Sequence, residues 1–182
     1  MDYKIELPVI PLVALDLMGQ PQGMIEVNES SPPVLLECLE QFARYFQREE
    51  RYDVIQFTAG EVNNPSAPFR GFLFAESGLN HMKDEHSRST PSLMVGGGCF
   101  RYRRYKNEGK RAVLDWIWLH PYERKKATLS RYWPQLRELA NDDCGFLIEP
   151  PISKALRAFL KKNSHKDALD PQVIEYLNKT TE

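Results

Sequence analysis

Apolar residues recur at three- and four-residue spacing across residues 34–50, placing Leu35, Leu39, Phe42 and Phe46 on one side of a helix announced by Ser30, Ser31 and two prolines. Asp53 to Thr58 then reads as a short strand. A loop dense in turn formers (AGEVNNPSAP) follows, and a second strand lies near Gly71 to Ala75. Polar residues dominate from Glu76 to Pro91, which predicts a surface loop. Two long strands come next, Leu93 to Tyr105 and Ala112 to Leu119, joined by Lys106-Asn107-Glu108-Gly109-Lys110, whose Asn and Gly suit an antiparallel hairpin. Strict alternation on the second of these puts Val113, Asp115, Ile117 and Leu119 on one face, and Ala112, Leu114, Trp116 and Trp118 on the other.

Pro121 ends that strand, because proline donates nothing to a ladder, and Arg124 to Ala140 reads as a helix with Leu129, Trp133, Leu136 and Leu139 or Ala140 on one side. Pro134 is expected to kink or split it. Cys144 to Glu149 is a brief apolar strand stopped by Pro150-Pro151, and Ser153 caps a helix from Lys154 to about Lys162. Residues 170–180 open on Asp170-Pro171 and read as a short final helix. No period of 20 to 50 residues recurs, which disfavours a solenoid or propeller.

The order of strands and helices reads as α/β, and length and composition narrow this to a single domain over residues 1–182. The chain has 182 residues, 42% hydrophobic and 27% charged, enough for one sizeable core and short for two ordinary domains. Lys plus Arg number 24 against 25 for Asp plus Glu, so no overall field calls for nucleic acid or a membrane surface. The N-terminal apolar stretch lacks a basic leader and is broken by Pro8, Pro11 and Asp16, which argues against a signal peptide or a membrane span. A cytoplasmic protein with Cys38, Cys99 and Cys144 reduced is the resulting expectation.

The stretch AVLDWIWLHPYERKKATL carries the chemistry. An apolar strand meets a proline turn and then a helix start, where free backbone N–H groups, the positive dipole end and the side chains of Arg124, Lys125 and Lys126 all favour an anion such as a pyrophosphate. The bland alternative is a helix whose basic first turn is merely solvated. Asp115, among apolar neighbours, is expected to be desolvated and so suited to taking a proton from an ammonium group. Its bland alternative is an ion pair with Arg101 or Arg103 of the neighbouring strand.

The order Trp118, Pro121, Arg124, Ala127, with the strand before it and CGFLIEPPISKALRAFLKKN after it, resembles the GNAT (GCN5-related N-acetyltransferase) superfamily over roughly residues 53 to 163. The resemblance implies a mixed central sheet flanked by helices, with a strand-helix-strand-helix C-terminal half and acetyl-CoA as co-substrate. In that family an R/Q-x-x-G-x-G/A loop grips the coenzyme A pyrophosphate. Here Arg124 stands at the leading position, Ala127 at the first glycine and Leu129 at the final Gly/Ala, with Lys125, Lys126 and Thr128 between. Pantetheine would lie in a gap between the strands around Asp115–Leu119 and Cys144–Glu149, against exposed backbone near Trp118, Leu119 and Phe146. Asp115, six residues before the turn proline, matches a common glutamate base. Phe159 stands where the family carries its tyrosine acid, which leaves Tyr122, Tyr132 or water for that role, or a thiolate that departs unaided. The implied activity is acetyl transfer to an amine of unread identity. Because Ala127, Leu129 and Phe159 depart from the pattern, a catalytically degenerate module of the same fold, binding a protein or RNA partner, is the alternative.

Other signals are weaker. FRYRRYKNEGKR interleaves aromatics with cations in a way compatible with single-stranded nucleic acid, but it reads equally as a strand with inner aromatics and outer arginines, and no nucleic-acid binding is expected. His81 and His86, five residues apart and without a nearby cysteine, do not make a metal site. Cys144 reads as core filler rather than a nucleophile. Asp84 and Glu85 offer a place to meet a cationic acceptor.

Overall fold

The computed structural model describes residues 4–11, 23–62, 68–77, 91–105, 109–141, 145–148 and 152–162. Within them lie strands β1 (Val9–Pro11) and β2 (Met24–Val27), helix α1 (Pro33–Glu50), strands β3 (Phe69–Ser77), β4 (Pro91–Tyr105) and β5 (Gly109–Leu119), helix α2 (Thr128–Ala140), strand β6 (Leu147–Ile148) and helix α3 (Lys154–Lys162). The architecture is mixed α/β. One six-stranded sheet runs β2-β3-β4-β5-β6, with β1 also paired to β4. Every pairing is antiparallel except β5 with β6.

Helix α1 forms where the apolar spacing predicts it. Leu35, Leu39, Phe42 and Phe46 are buried on its inner side, and Arg51 closes it in the left-handed conformation (φ 60°) as Tyr52 N–H returns to the Gln47 carbonyl at 3.0 Å. The helix lies close on the sheet. A Cβ on Gly71 of β3 would come within 2.4 Å of the Leu39 side chain.

Two apolar clusters sandwich the sheet between them. One gathers α1 with Leu73, Met94, Cys99, Trp116 and Trp118; the other gathers α2, β6 and α3 with Phe72, Phe100, Leu114, Ile117 and Leu119. At the centre of the second, the Phe72 ring crosses β4 over Gly98, where a Cβ would meet it at 2.4 Å, and stands 5.6 Å from the Phe100 ring. Among the described residues no helix is long and apolar enough to cross a membrane.

Four expectations are corrected here. Asp53–Thr58 is not a strand: the segment is irregular and ends in a 3-10 turn (Ala59–Glu61). Its polar groups find side chains instead of a ladder, with Ala59 N–H donating to Glu40 (2.7 Å) and Arg101 donating to the Gln56 carbonyl (3.0 Å), while Phe57 packs on Phe69. The strand that precedes β3 in the sheet is β2, from the segment before α1. Second, the strict alternation on β5 fails. Cys99 faces Trp116 while the next residue, Phe100, faces Leu114, so Asp115 is the extra residue of a β-bulge. The bulge shifts the phase: Ala112 and Leu114 share a cluster with Ile117 and Leu119, while Trp116 and Trp118 join the opposite one.

Third, helix α2 starts at Thr128 rather than Arg124, because Pro121–Glu123 forms a 3-10 turn and Ala127 turns left-handed. Fourth, Pro134 does not split α2. It sits at the middle of the helix on its exposed side, and the carbonyl deprived of a donor belongs to exposed Ser130, where water can reach it. Ser153 caps α3 as expected, its Oγ accepting from Leu156 N–H at 3.1 Å. The expected helix at 170–180, the two histidines, Asp84, Glu85 and Cys144 lie outside the described residues.

Candidate functional site

The strand β6 pairs with β5 only at Val113↔Leu147 and Leu114↔Ile148. Beyond the Asp115 bulge, the C-terminal part of β5 has no β6 partner among the described residues. A cleft open to solvent occupies that place. Its walls come from both sides of the sheet: Phe46, Glu49 and Glu50 from α1, Ile117, Trp118 and Leu119 from β5, Arg124 and Leu129 from the loop and α2, and Leu156 and Phe159 from α3. The β5–α2 loop, 120–127, closes one end.

Polar contacts tie that loop down. Arg124 donates Nε to the Leu119 carbonyl (2.8 Å) and places its two terminal nitrogens on the two oxygens of Glu49 (2.5 and 2.6 Å). Trp118 donates its indole N–H to the same Glu49 carboxylate at 2.8 Å. Burial pushes the Glu49 carboxyl up, but the bonds from Arg124 and Trp118 outweigh it, and the group is held below its ordinary value. Glu50 goes the other way. Burial, then the neighbouring Glu49 charge, raises it, against the opposing pull of Arg124 and Lys154. At the end of β5, partial burial holds His120 below its usual value, with Arg124 and Lys126 adding to the effect and Glu123 opposing it.

Ala127 adopts φ 61°, ψ 12°, a left-handed conformation that glycine takes without strain. It precedes α2 without providing a side-chain cap, so the first-turn N–H groups of the helix have no cap from that residue. Arg131 N–H already bonds the Ala127 carbonyl at 2.9 Å. Lys125 is exposed, and Lys126 is paired with Glu123 at 2.6 Å.

The predicted site residues therefore divide. Trp118, Leu119, Arg124 and Leu129 meet at the cleft; Lys125, Lys126, Ala127 and Thr128 form the adjoining turn, with Thr128 buried and the other three exposed. Asp115 does not line the cleft. It lies 3.6 Å from Arg101 and 3.8 Å from Arg103, the ion-paired alternative, rather than among apolar neighbours alone. Tyr122 is 81% exposed, its ring tilted against that of His120 with centroids 5.3 Å apart. Phe159, with no hydroxyl to give, lines the cleft and packs on Trp133.

Sequence reading missed Glu49 and Glu50. They end a helix read only for its apolar side, and nothing in their spacing links them to residues some seventy positions on. No protein-family model matches the chain, and no curated protein matches it in sequence.

Proposed function

We propose that the chain is a GNAT-like, acetyl-CoA-dependent N-acetyltransferase acting on an amine. The observation that carries this reading is the cleft beside the end of β5 that has no β6 partner among the described residues, with the left-handed Ala127 turn, which gives α2 no side-chain cap, at one end. An extended amide-bearing ligand can add itself along Ile117–Leu119 as a strand would, using backbone groups other than the Leu119 carbonyl, which Arg124 holds. The backbone N–H groups of Thr128 and Leu129, with Lys125, would hold a pyrophosphate. Arg124 fits a different role: engaged by Glu49 and by the Leu119 carbonyl, it braces the loop rather than reaching for an anion.

When bound, acetyl-CoA supplies an acetyl group activated as a thioester. The protein's part is to align the thioester with an amine, exclude water with the apolar walls of Phe46, Ile117, Leu156 and Phe159, and receive the amine proton. Coenzyme A at millimolar concentration is expected to raise the melting temperature through linkage, and Lys125→Glu is expected to weaken the effect. A protein whose melting and calorimetric baseline coenzyme A leaves unchanged would refute the proposal.

The occupied Arg124 and the hydroxyl-free Phe159 favour a second reading, a catalytically degenerate module that binds a protein or RNA partner. Coenzyme A binding without turnover on amines is its signature.

A further inference from the structure

We infer that Glu50, at the C-terminal end of α1, is the catalytic residue that meets the acceptor, and that the acceptor is a cationic aliphatic amine entering from the α1 side of the cleft. This rests on the acetyltransferase reading above and names its substrate class.

The argument starts from the carboxylates within reach. Asp115 is off the cleft between two guanidinium groups. Glu49 is on the cleft, but both of its oxygens are occupied by Arg124 and Trp118. Glu50 also lines the cleft, is half-buried, and makes no hydrogen bond or ion pair with another described residue. A carboxylate partly withdrawn from water, with cations nearby but no direct hydrogen bond among the described residues, is incompletely compensated, and an arriving ammonium group offsets that cost.

The charged groups around it are Glu49 on its own helix, Arg124 from the β5–α2 loop and Lys154 from α3. Burial and Glu49 favour the protonated form of Glu50, while the two cations oppose it. A carboxyl so placed holds a proton more readily than an exposed one, which is what removing a proton from an ammonium requires. The Phe46 ring, one turn earlier on the same helix, gives the amine's alkyl stem an apolar wall.

The chemical step balances without any further reagent. The ammonium gives one proton to the Glu50 carboxylate. The freed nitrogen lone pair forms the N–C bond to the thioester carbonyl carbon, the C–S bond breaks, and its electron pair leaves on sulfur. The second nitrogen-bound proton passes to that sulfur to give the thiol, and Glu50 returns its proton to water.

The test uses the full chain with spermidine and Nα-acetyl-lysine methyl ester as probe amines. Binding of each is measured by calorimetry without coenzyme A, and thiol release from acetyl-CoA is followed with a thiol-reactive dye. Glu50→Gln is expected to weaken amine binding about tenfold and to slow turnover by roughly 10²–10⁴-fold, while leaving the coenzyme A thermal shift intact; Glu50→Asp is expected to restore part of the rate. A Glu50→Gln protein that binds and acetylates like the wild type overturns the assignment. Wild-type protein that shows the coenzyme A shift but binds neither amine overturns this inference alone, whereas absence of the shift overturns the acetyltransferase reading and this inference with it.

Discussion

Ala127 occupies a backbone conformation that its own side chain resists. Left-handed torsions cost an L-residue roughly 1–2 kcal/mol, part of which glycine gives back through its greater freedom in the unfolded chain. Ala127 is exposed, so its methyl group contributes little packing. Ala127→Gly is therefore expected to stabilise the protein by about 0.5–1 kcal/mol, a rise of a few degrees in melting temperature read by calorimetry. Unchanged or lower stability would mean that the turn is held by something other than backbone preference.

At the same scale, Glu49 and Glu50 titrate with opposite consequences. The folded-state value of Glu49 is lowered, so its contribution is fully present above the ordinary carboxylate range and is lost as pH falls through the lowered value. The folded-state value of Glu50 is raised, so its contribution is full in acid and is lost as pH rises through the raised value. Glu49→Gln is expected to be less stable than the wild type at pH 7, and Glu50→Gln more stable. The Glu50 difference should vanish once pH falls below the ordinary carboxylate value, whereas the Glu49 difference should persist until pH falls through the lowered folded-state value. Urea unfolding at a series of pH values measures this.

Among the elements, β5 shows most plainly what one inserted residue does. The bulge at Asp115 exchanges the faces of everything after it, delivering Trp118 to α1 and Leu119 to α2. It also sends the Asp115 carboxylate to Arg101 and Arg103 of β4. Asp115→Asn keeps the shape but removes one negative charge from beside two guanidinium groups; the expected cost is about 1–3 kcal/mol by chemical denaturation, with coenzyme A binding unaffected because the residue is off the cleft. Loss of binding at full stability would return Asp115 to the site. The bulge was not legible from the residue pattern, since a period of two carries no mark of a skipped position. The failed strand at Asp53–Thr58 has a related cause: a six-residue stretch holding Val54, Ile55 and Phe57 fits a strand or a packed irregular segment equally, and here it is the latter, with Phe57 buried.

For the whole molecule, the two clusters meet across one sheet whose central strand, β4, is paired along both sides. Native-state hydrogen exchange should find the amides of Gly96–Phe100 among the slowest and those of α3 much faster, because α3 presents only Leu156 and Leu160 as fully buried anchors. Equal protection in both would contradict that ordering.

The amino-acid sequence by itself determined the local elements whose signals are local: the buried stripe of α1, the β4–β5 hairpin strands, the Ser153 cap of α3, and the basic turn after β5. Those follow from side-chain period, capping chemistry and proline geometry, which act within a few residues. Only the tertiary structure decided that β2 rather than Asp53–Thr58 precedes β3 in the sheet, that Asp115 belongs to an ion pair, and that Arg124 braces the loop against Glu49. Each depends on which distant backbone or charge arrives alongside. Glu49 and Arg124 are 75 positions apart in the chain and share two hydrogen bonds in the fold, a juxtaposition set by the packing of α1 against the sheet and carried by no short pattern.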